Sequence, residues 1–172
     1  KKTEEVQKIV KVCNRYKQPY VPYSTGFYGP RSHPHVEDAL IIDLKRMTDF
    51  EIDERHLYAY VGSGIIYSQL QEEAMRKGCY VVIGGGGAQA SVVANLIGDG
   101  WSPLSHRIGL PHRRILGTEM VTPDGDIVRM VTTDGHRLSK IDVKVAGRQA
   151  SATMLIPLKA IHELRRLCDE MS

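Results

Sequence analysis

Short strands alternating with amphipathic helices, two glycine-rich loops and a hairpin turn of sequence TPDGD predict an α+β or α/β domain with several short strands and flanking helices. Residues 3–15 place Val6, Ile9, Val10 and Cys13 at helical spacing with Lys and Glu on the other face, so an amphipathic helix opens the chain. A turn at residues 17–19 leads to a short strand over 20–22 and into the first glycine loop, PYVPYSTGFYGP. A His- and Pro-rich connection follows, then an apolar strand, ALIIDL, at 39–44. Residues 51–53 and 58–61 read as paired strands around the polar turn Glu54-Arg55. The glycines of 62–64 end the second of them. A helix over 66–77 turns Leu70 and Ala74 inward and has Gly78 at its C-terminal cap. The second glycine loop comes next, then a short helical turn over 91–96, and strands 115–121 and 127–131 pair across TPDGD. There is no internal repeat or low-complexity tract.

At 172 residues, 42% hydrophobic and 25% charged, the chain can bury a real core. Its net charge is only +3, and the basic residues are scattered among acids, which gives no case for nucleic-acid or membrane binding. Cys13, Cys79 and Cys168 are odd in number, far apart and without metal-ligand spacing, so neither a disulfide scaffold nor a zinc site is expected. A reducing, cytoplasmic setting fits this usage. No apolar run is long enough to cross a bilayer and no signal-peptide pattern opens the sequence.

The glycine loops carry the chemistry. Glycines packed as in PYVPYSTGFYGP and VVIGGGGAQASVVANLIGDG leave backbone N–H groups open to oxygen acceptors and let a bulky anion approach the main chain. A bound phosphate-bearing cofactor is the expectation. A tight turn or a flexible lid is the plain alternative for either loop alone. A Rossmann arrangement fits less well, because no G-x-G-x-x-G directly follows the first strand with an acidic residue about twenty positions on.

The order of these motifs, helix, P-Y-S-T-G loop, I-I-D-L strand, V-G-S-G-I turn, helix, I-G-G-G-G loop and G-T-E-M-V-T-P-D-G-D hairpin, resembles the FAD-binding domain of the vanillyl-alcohol oxidase and p-cresol methylhydroxylase family of flavoproteins. The resemblance covers residues 3–130, and the pattern is incomplete at its C-terminal side. It implies that backbone amides of the first loop, at Tyr23, Ser24, Thr25, Gly26, Phe27 and Tyr28, wrap the FAD pyrophosphate. In the second loop it implies close packing of Gly84, Gly85, Gly86, Gly87, Ala88, Ser91 and Asn95 on the flavin and pyrophosphate, with a side chain at Gly86 blocking the cofactor. Gly117, Thr118, Glu119 and Val121 of the hairpin match a segment lying beside the adenine or isoalloxazine, although Thr118 and Glu119 also read as ordinary strand residues.

One departure from the family stands out. Where many relatives carry a histidine bonded covalently to the flavin, this chain has Phe27, which implies non-covalent FAD. His33 and His35 read as solvent-exposed loop residues and Cys79 as a buried small hydrophobe. Trp101, His106, Arg107 and His112 lie in a stretch that relatives run past the flavin, where a cation would stabilise the negative charge of the reduced ring; His106 is the residue expected to touch it, against the reading of a basic solvated loop.

Beyond Arg129 the pattern changes. RMVTTDGHRLSKIDVKV followed by TMLIPLKAIHELRRLCDEM resembles the middle domain of the bacterial replicative sliding clamp, whose T-D-G-H-R-L turn borders a groove for short peptides; the matching positions are Thr133, Gly135, His136, Arg137 and Leu138. The chain therefore divides into a flavin-binding part, 1–128, and a clamp-like strand-turn-helix part, 129–172, as a composite join, a designed fusion or a coincidental tail on a truncated flavoprotein. The function expected is an FAD-binding module of an oxidoreductase that transfers hydride from a small alcohol, phenol or hydroxy acid. The alternatives are a peptide-binding fragment of a sliding clamp and an FAD subunit whose catalytic cap is a second chain. The partners expected are a small-molecule substrate and a second subunit or cap domain, and no catalytic base can be named.

Overall fold

The computed structural model describes residues 2–27, 34–98, 100–131, 142–143 and 166. They fall into two compact units, Lys1–Ile115 with Pro123–Gly125, and Leu116–Thr122 with Asp126–Ser172. The order of elements is mixed α and β with short strands, as the sequence predicts.

The first unit begins with α1 (Thr3–Tyr16). Val10 and Cys13 are buried at 3% and 2% exposure, but Ile9 is 39% exposed. The apolar seam runs through positions three and four apart, Val6, Val10 and Cys13, so Ile9 lies on its flank and only part of the expected face is core. The helix stops at Lys17, whose left-handed φ of 52° lets Gln18 N–H reach the Cys13 carbonyl at 2.8 Å. Three side chains from this end of the chain hold the distant turn of 123–125. Gln7 Nε2 donates to the Gly125 carbonyl at 2.8 Å, while Asn14 Nδ2 and the Tyr20 hydroxyl donate to the Pro123 carbonyl at 2.6 and 3.4 Å.

Strands β1 (Tyr20–Tyr23) and β2 (Leu40–Asp43) are parallel, with Tyr20 opposite Leu40 and Tyr23 opposite Asp43. Strands β3 (Phe50–Asp53) and β4 (Tyr58–Val61) form an antiparallel pair. Their turn is tied by Asp53, whose Oδ1 accepts the N–H groups of Arg55 and His56 at 3.0 and 2.9 Å and whose Oδ2 meets His56 Nδ1 at 2.8 Å. These bonds to the ionised form hold the Asp53 carboxyl down to about 2. The His56 ring stacks on Tyr58, with centroids 6.2 Å apart.

Next come α2 (Tyr67–Arg76) and α3 (Val92–Ile97). Leu70 and Ala74 of α2 are buried as expected, and Gly78, at φ +69°, follows the capping residue Lys77. The main core gathers Ile65, Tyr67, Leu70, Ala90 and Val92, with Phe50, Ile52, Val61, Val81, Ile83 and Leu96 packed against it. It therefore lies directly beneath the second glycine loop. Cys79, expected to be buried, is half-buried, because it follows the glycine that ends α2 and its Sγ lies 3.7 Å from the Lys77 carbonyl. The short α4 (Ser105–Ile108) and a 3-10 turn over Pro111–Arg114 complete the unit.

In the second unit β5 (Gly117–Val121) and β6 (Ile127–Val131) form the expected hairpin, and β7 (Asp142–Val143) adds to β6. Tyr28, His33 and the clamp-like positions Thr133, Gly135, His136, Arg137 and Leu138 lie outside the described residues. No described helix is long and apolar enough to cross a membrane.

Candidate functional site

The first loop leaves the end of β1. Ser24, Thr25, Gly26 and Phe27 donate no backbone hydrogen bond among the described residues. Gly26 has φ +66°, and a side chain there would run into the Tyr23 ring, so the loop needs glycine both for its turn and for space. The Tyr23 ring also carries Lys45 Nζ, 5.4 Å from the ring centroid, and Lys45 meets Asp43 Oδ2 at 3.4 Å.

The second loop is a β-turn closed by Gly87 N–H on the Gly84 carbonyl at 2.9 Å. Several groups in and around this turn are paired. Gly85 N–H donates to the Trp101 carbonyl, Ala90 N–H to the Gly87 carbonyl at 3.2 Å, Ser68 N–H to the Ala88 carbonyl at 2.9 Å and Tyr67 N–H to the Ala90 carbonyl at 3.1 Å. Buried Ser91 caps α3 by accepting Ala94 N–H at 3.3 Å and donates its hydroxyl proton to the Ser63 carbonyl at 2.9 Å. Asn95 Oδ1 accepts from the buried Tyr67 hydroxyl at 3.0 Å, and the Asn95 side chain fills the space that a Cβ at Gly84 or Gly100 would need. Burial raises the Tyr67 pKa, so the phenol stays a donor in this bond. Gly84, Gly86, Ala88 and Gln89 donate no backbone hydrogen bond among the described residues. Gly87, at φ +79°, faces open space.

The two loops meet. A methyl group placed on Gly86 would lie 3.5 Å from Phe27 Cδ1 and 3.0 Å from the Ala90 Cβ. N–H groups of 24–27 and of Gly86, Ala88 and Gln89 have no backbone partner among the described residues and lie on two loops in contact, while Gly84 is buried. These residues fit the phosphate-bearing part of a dinucleotide.

The other expected site residues are placed as follows. Ser91 and Asn95 bind the loop to its support through their side chains. His106 is exposed in α4, with Nδ1 3.0 Å from the Pro103 carbonyl, and His35 is exposed. Gly117, Thr118, Glu119 and Val121 all lie on β5 of the second unit, where Glu119 stands opposite Arg129 and forms an ion pair with it. Tyr67 was not among the residues expected from the sequence. It lies 28 positions from Asn95, and no local spacing announces the bond between them. Among the described residues, no three His, Cys, Asp or Glu side chains come together as a metal site.

This mixed α and β architecture is that of a flavin-binding domain. The chain belongs to the FAD binding domain family, whose pattern its residues 1–131 match. Residues 112–172 also match the pattern of the DNA polymerase III beta subunit, central domain. The flavoprotein subunit of 4-cresol dehydrogenase (hydroxylating) from Pseudomonas putida is 31% identical over 134 residues, 73% of this chain and 25% of that protein. Among solved structures, 6-hydroxy-D-nicotine oxidase from Arthrobacter nicotinovorans superposes with a TM-score of 0.67 at 26% identity, over 75% of this chain and 28% of the other. p-Cresol methylhydroxylase with substrate bound gives 0.63 at 30% identity, over 75% and 26%. The chain spans about a quarter to a third of the length of the first curated relatives it matches.

Proposed function

We propose that this chain is the FAD-binding module of an oxidoreductase that takes a hydride from a small alcohol, phenol or hydroxy acid, and that it holds FAD without a covalent bond. When bound, the flavin would supply the acceptor for the two electrons of that hydride. The protein's part is to bind the diphosphate on the N–H groups of Ser24, Thr25, Gly26 and Phe27, with Tyr23 and Tyr28 at the edges of that loop, and on those around Gly84 to Ala88. The observation that carries this reading is the meeting of the two loops at Phe27 and Gly86. Relatives named for glycolate, 4-cresol and D-lactate support the substrate class.

Phe27 supports the non-covalent mode, since a phenyl ring offers no nucleophile to a flavin methyl group. Ser91 and Asn95 act by holding the second loop in shape. His106 is proposed to face the reduced ring, and Gly117, Thr118, Glu119 and Val121 the adenine or isoalloxazine. The flavin pattern is proposed to extend through residue 128. The spread of cysteines supports a cytoplasmic setting.

The purified chain should show a flavin absorbance spectrum, or acquire one with added FAD, and the colour should pass a size filter after denaturation. Colour retained on the denatured protein would overturn the non-covalent mode, and failure to take up FAD would overturn the cofactor reading.

Two alternatives have observations behind them. The word "subunit" in the name of the 4-cresol relative favours a module completed by a second chain, which would co-purify with it. The match of residues 112–172 to the clamp's central domain favours a peptide-binding role for the tail, which would survive loss of FAD binding.

A further inference from the structure

Two large aromatic rings stand against the second glycine loop and are left in solvent. Trp101 is 57% exposed and Phe27 is 54% exposed. Each is set against one corner of the same turn. The Trp101 carbonyl accepts the Gly85 N–H, and its indole occupies the space beside Gly85, with Cε2 2.5 Å from where a Cβ would lie. Phe27 lies against Gly86, the next residue. An exposed ring pinned by its own backbone differs from a ring that is exposed because nothing orders it. The indole lies beside Gly85, one residue from Gly86, whose N–H has no backbone partner among the described residues, where a ligand bearing both a diphosphate and a flat ring would place the ring.

Resting on the FAD reading above, we propose that Trp101 is a positioning residue that stacks on a planar ring of the bound dinucleotide, with Phe27 as the apolar wall at the neighbouring corner. A stacked aromatic partner contributes through area removed from water and through π contact, and its truncation to alanine weakens base binding in nucleic-acid complexes by roughly 1–3 kcal/mol. That corresponds to about a fivefold to 150-fold change in Kd.

The test titrates FAD into the wild-type chain and into Trp101→Ala and Trp101→Phe by calorimetry, and measures displacement of bound FAD by inorganic pyrophosphate, which has no ring. Thermal unfolding of each variant checks that it is folded. Stacking requires FAD binding to weaken by about fivefold or more in Trp101→Ala and to recover largely in Trp101→Phe, with the pyrophosphate constant unchanged. FAD affinity within twofold of wild type in Trp101→Ala would overturn the proposal and leave the FAD reading standing. An equal loss for FAD and pyrophosphate would also overturn it, since Trp101 would then only support the loop. No FAD binding by the wild-type chain would sink the underlying reading, and the proposal with it.

Discussion

Among the described residues, the N–H groups from Ser24 to Phe27 in the first glycine loop have no backbone partner, whereas the second loop ties Gly85, Gly87 and Ala90 and leaves Gly84, Gly86, Ala88 and Gln89 without one. The same residue type thus serves two ends. In the first loop glycine lets the backbone turn beside a tyrosine ring. In the second, glycines let the turn settle onto Asn95, which is bonded to the buried Tyr67, and beside the exposed Trp101 ring. The turn of β3 and β4 is a third case, with its N–H groups paired by a carboxylate. On the FAD reading, the cofactor would supply partners to the N–H groups of 24–27. The second loop is formed beforehand.

This contrast can be broken most severely at Gly84. Gly84→Val should drive the Asn95 side chain away and strand the buried Tyr67 hydroxyl, at a cost of about 3 kcal/mol of stability in urea unfolding. Ser91→Ala removes both the cap of α3 and the bond to the Ser63 carbonyl, so a loss of ~1.5 kcal/mol is expected in the same assay. Gly26→Ala tests the other loop. The strain of a left-handed alanine should cost about 1 kcal/mol, and a larger share of the effect should fall on FAD affinity than at Ser91. An equal or larger loss of stability at Gly26 than at Gly84 would remove the distinction between the loops.

The smallest effect is expected at the carboxylate-tied turn. The Asp53 carboxyl is held at about 2, below its ordinary 3.8, so its contribution is complete above pH 4 and is lost as pH falls toward 2. Amide exchange at Arg55 and His56, corrected for intrinsic rates, should stay protected down to pH 4 and become faster relative to them by pH 2. Asp53→Asn should flatten that dependence. A turn insensitive to both would show that these N–H groups need no partner.

Local patterns made the elements legible. The Val10 and Cys13 spacing gave α1, the TPDGD turn gave the hairpin of β5 and β6, and the glycine runs marked the loops. The support of the loops was not legible, because it depends on contacts between residues far apart. Tyr67 reaches Asn95, Trp101 reaches back to Gly85, and Ser91 reaches Ser63. Asn95 shows the limit well. The family resemblance implies that it packs near the cofactor; its side-chain oxygen also accepts from a tyrosine that no nearby spacing reveals. Ile9 was misplaced for a related reason, since helical periodicity marks a face without saying how much of it is covered.

The hydrogen bonds that anchor the turn of 123–125 have a bearing on the birth of the domain. Gln7, Asn14 and Tyr20 reach 118, 109 and 103 positions along the chain to find their acceptors. At ribosomal speeds of roughly 5–20 residues per second, that stretch takes on the order of ten seconds to synthesise. The opening helix can coil as soon as it emerges, but its docking must wait for the hairpin tip. Until then the contacts of Gln7 and Asn14 are with water, and the nascent chain has one end of its architecture still unwritten.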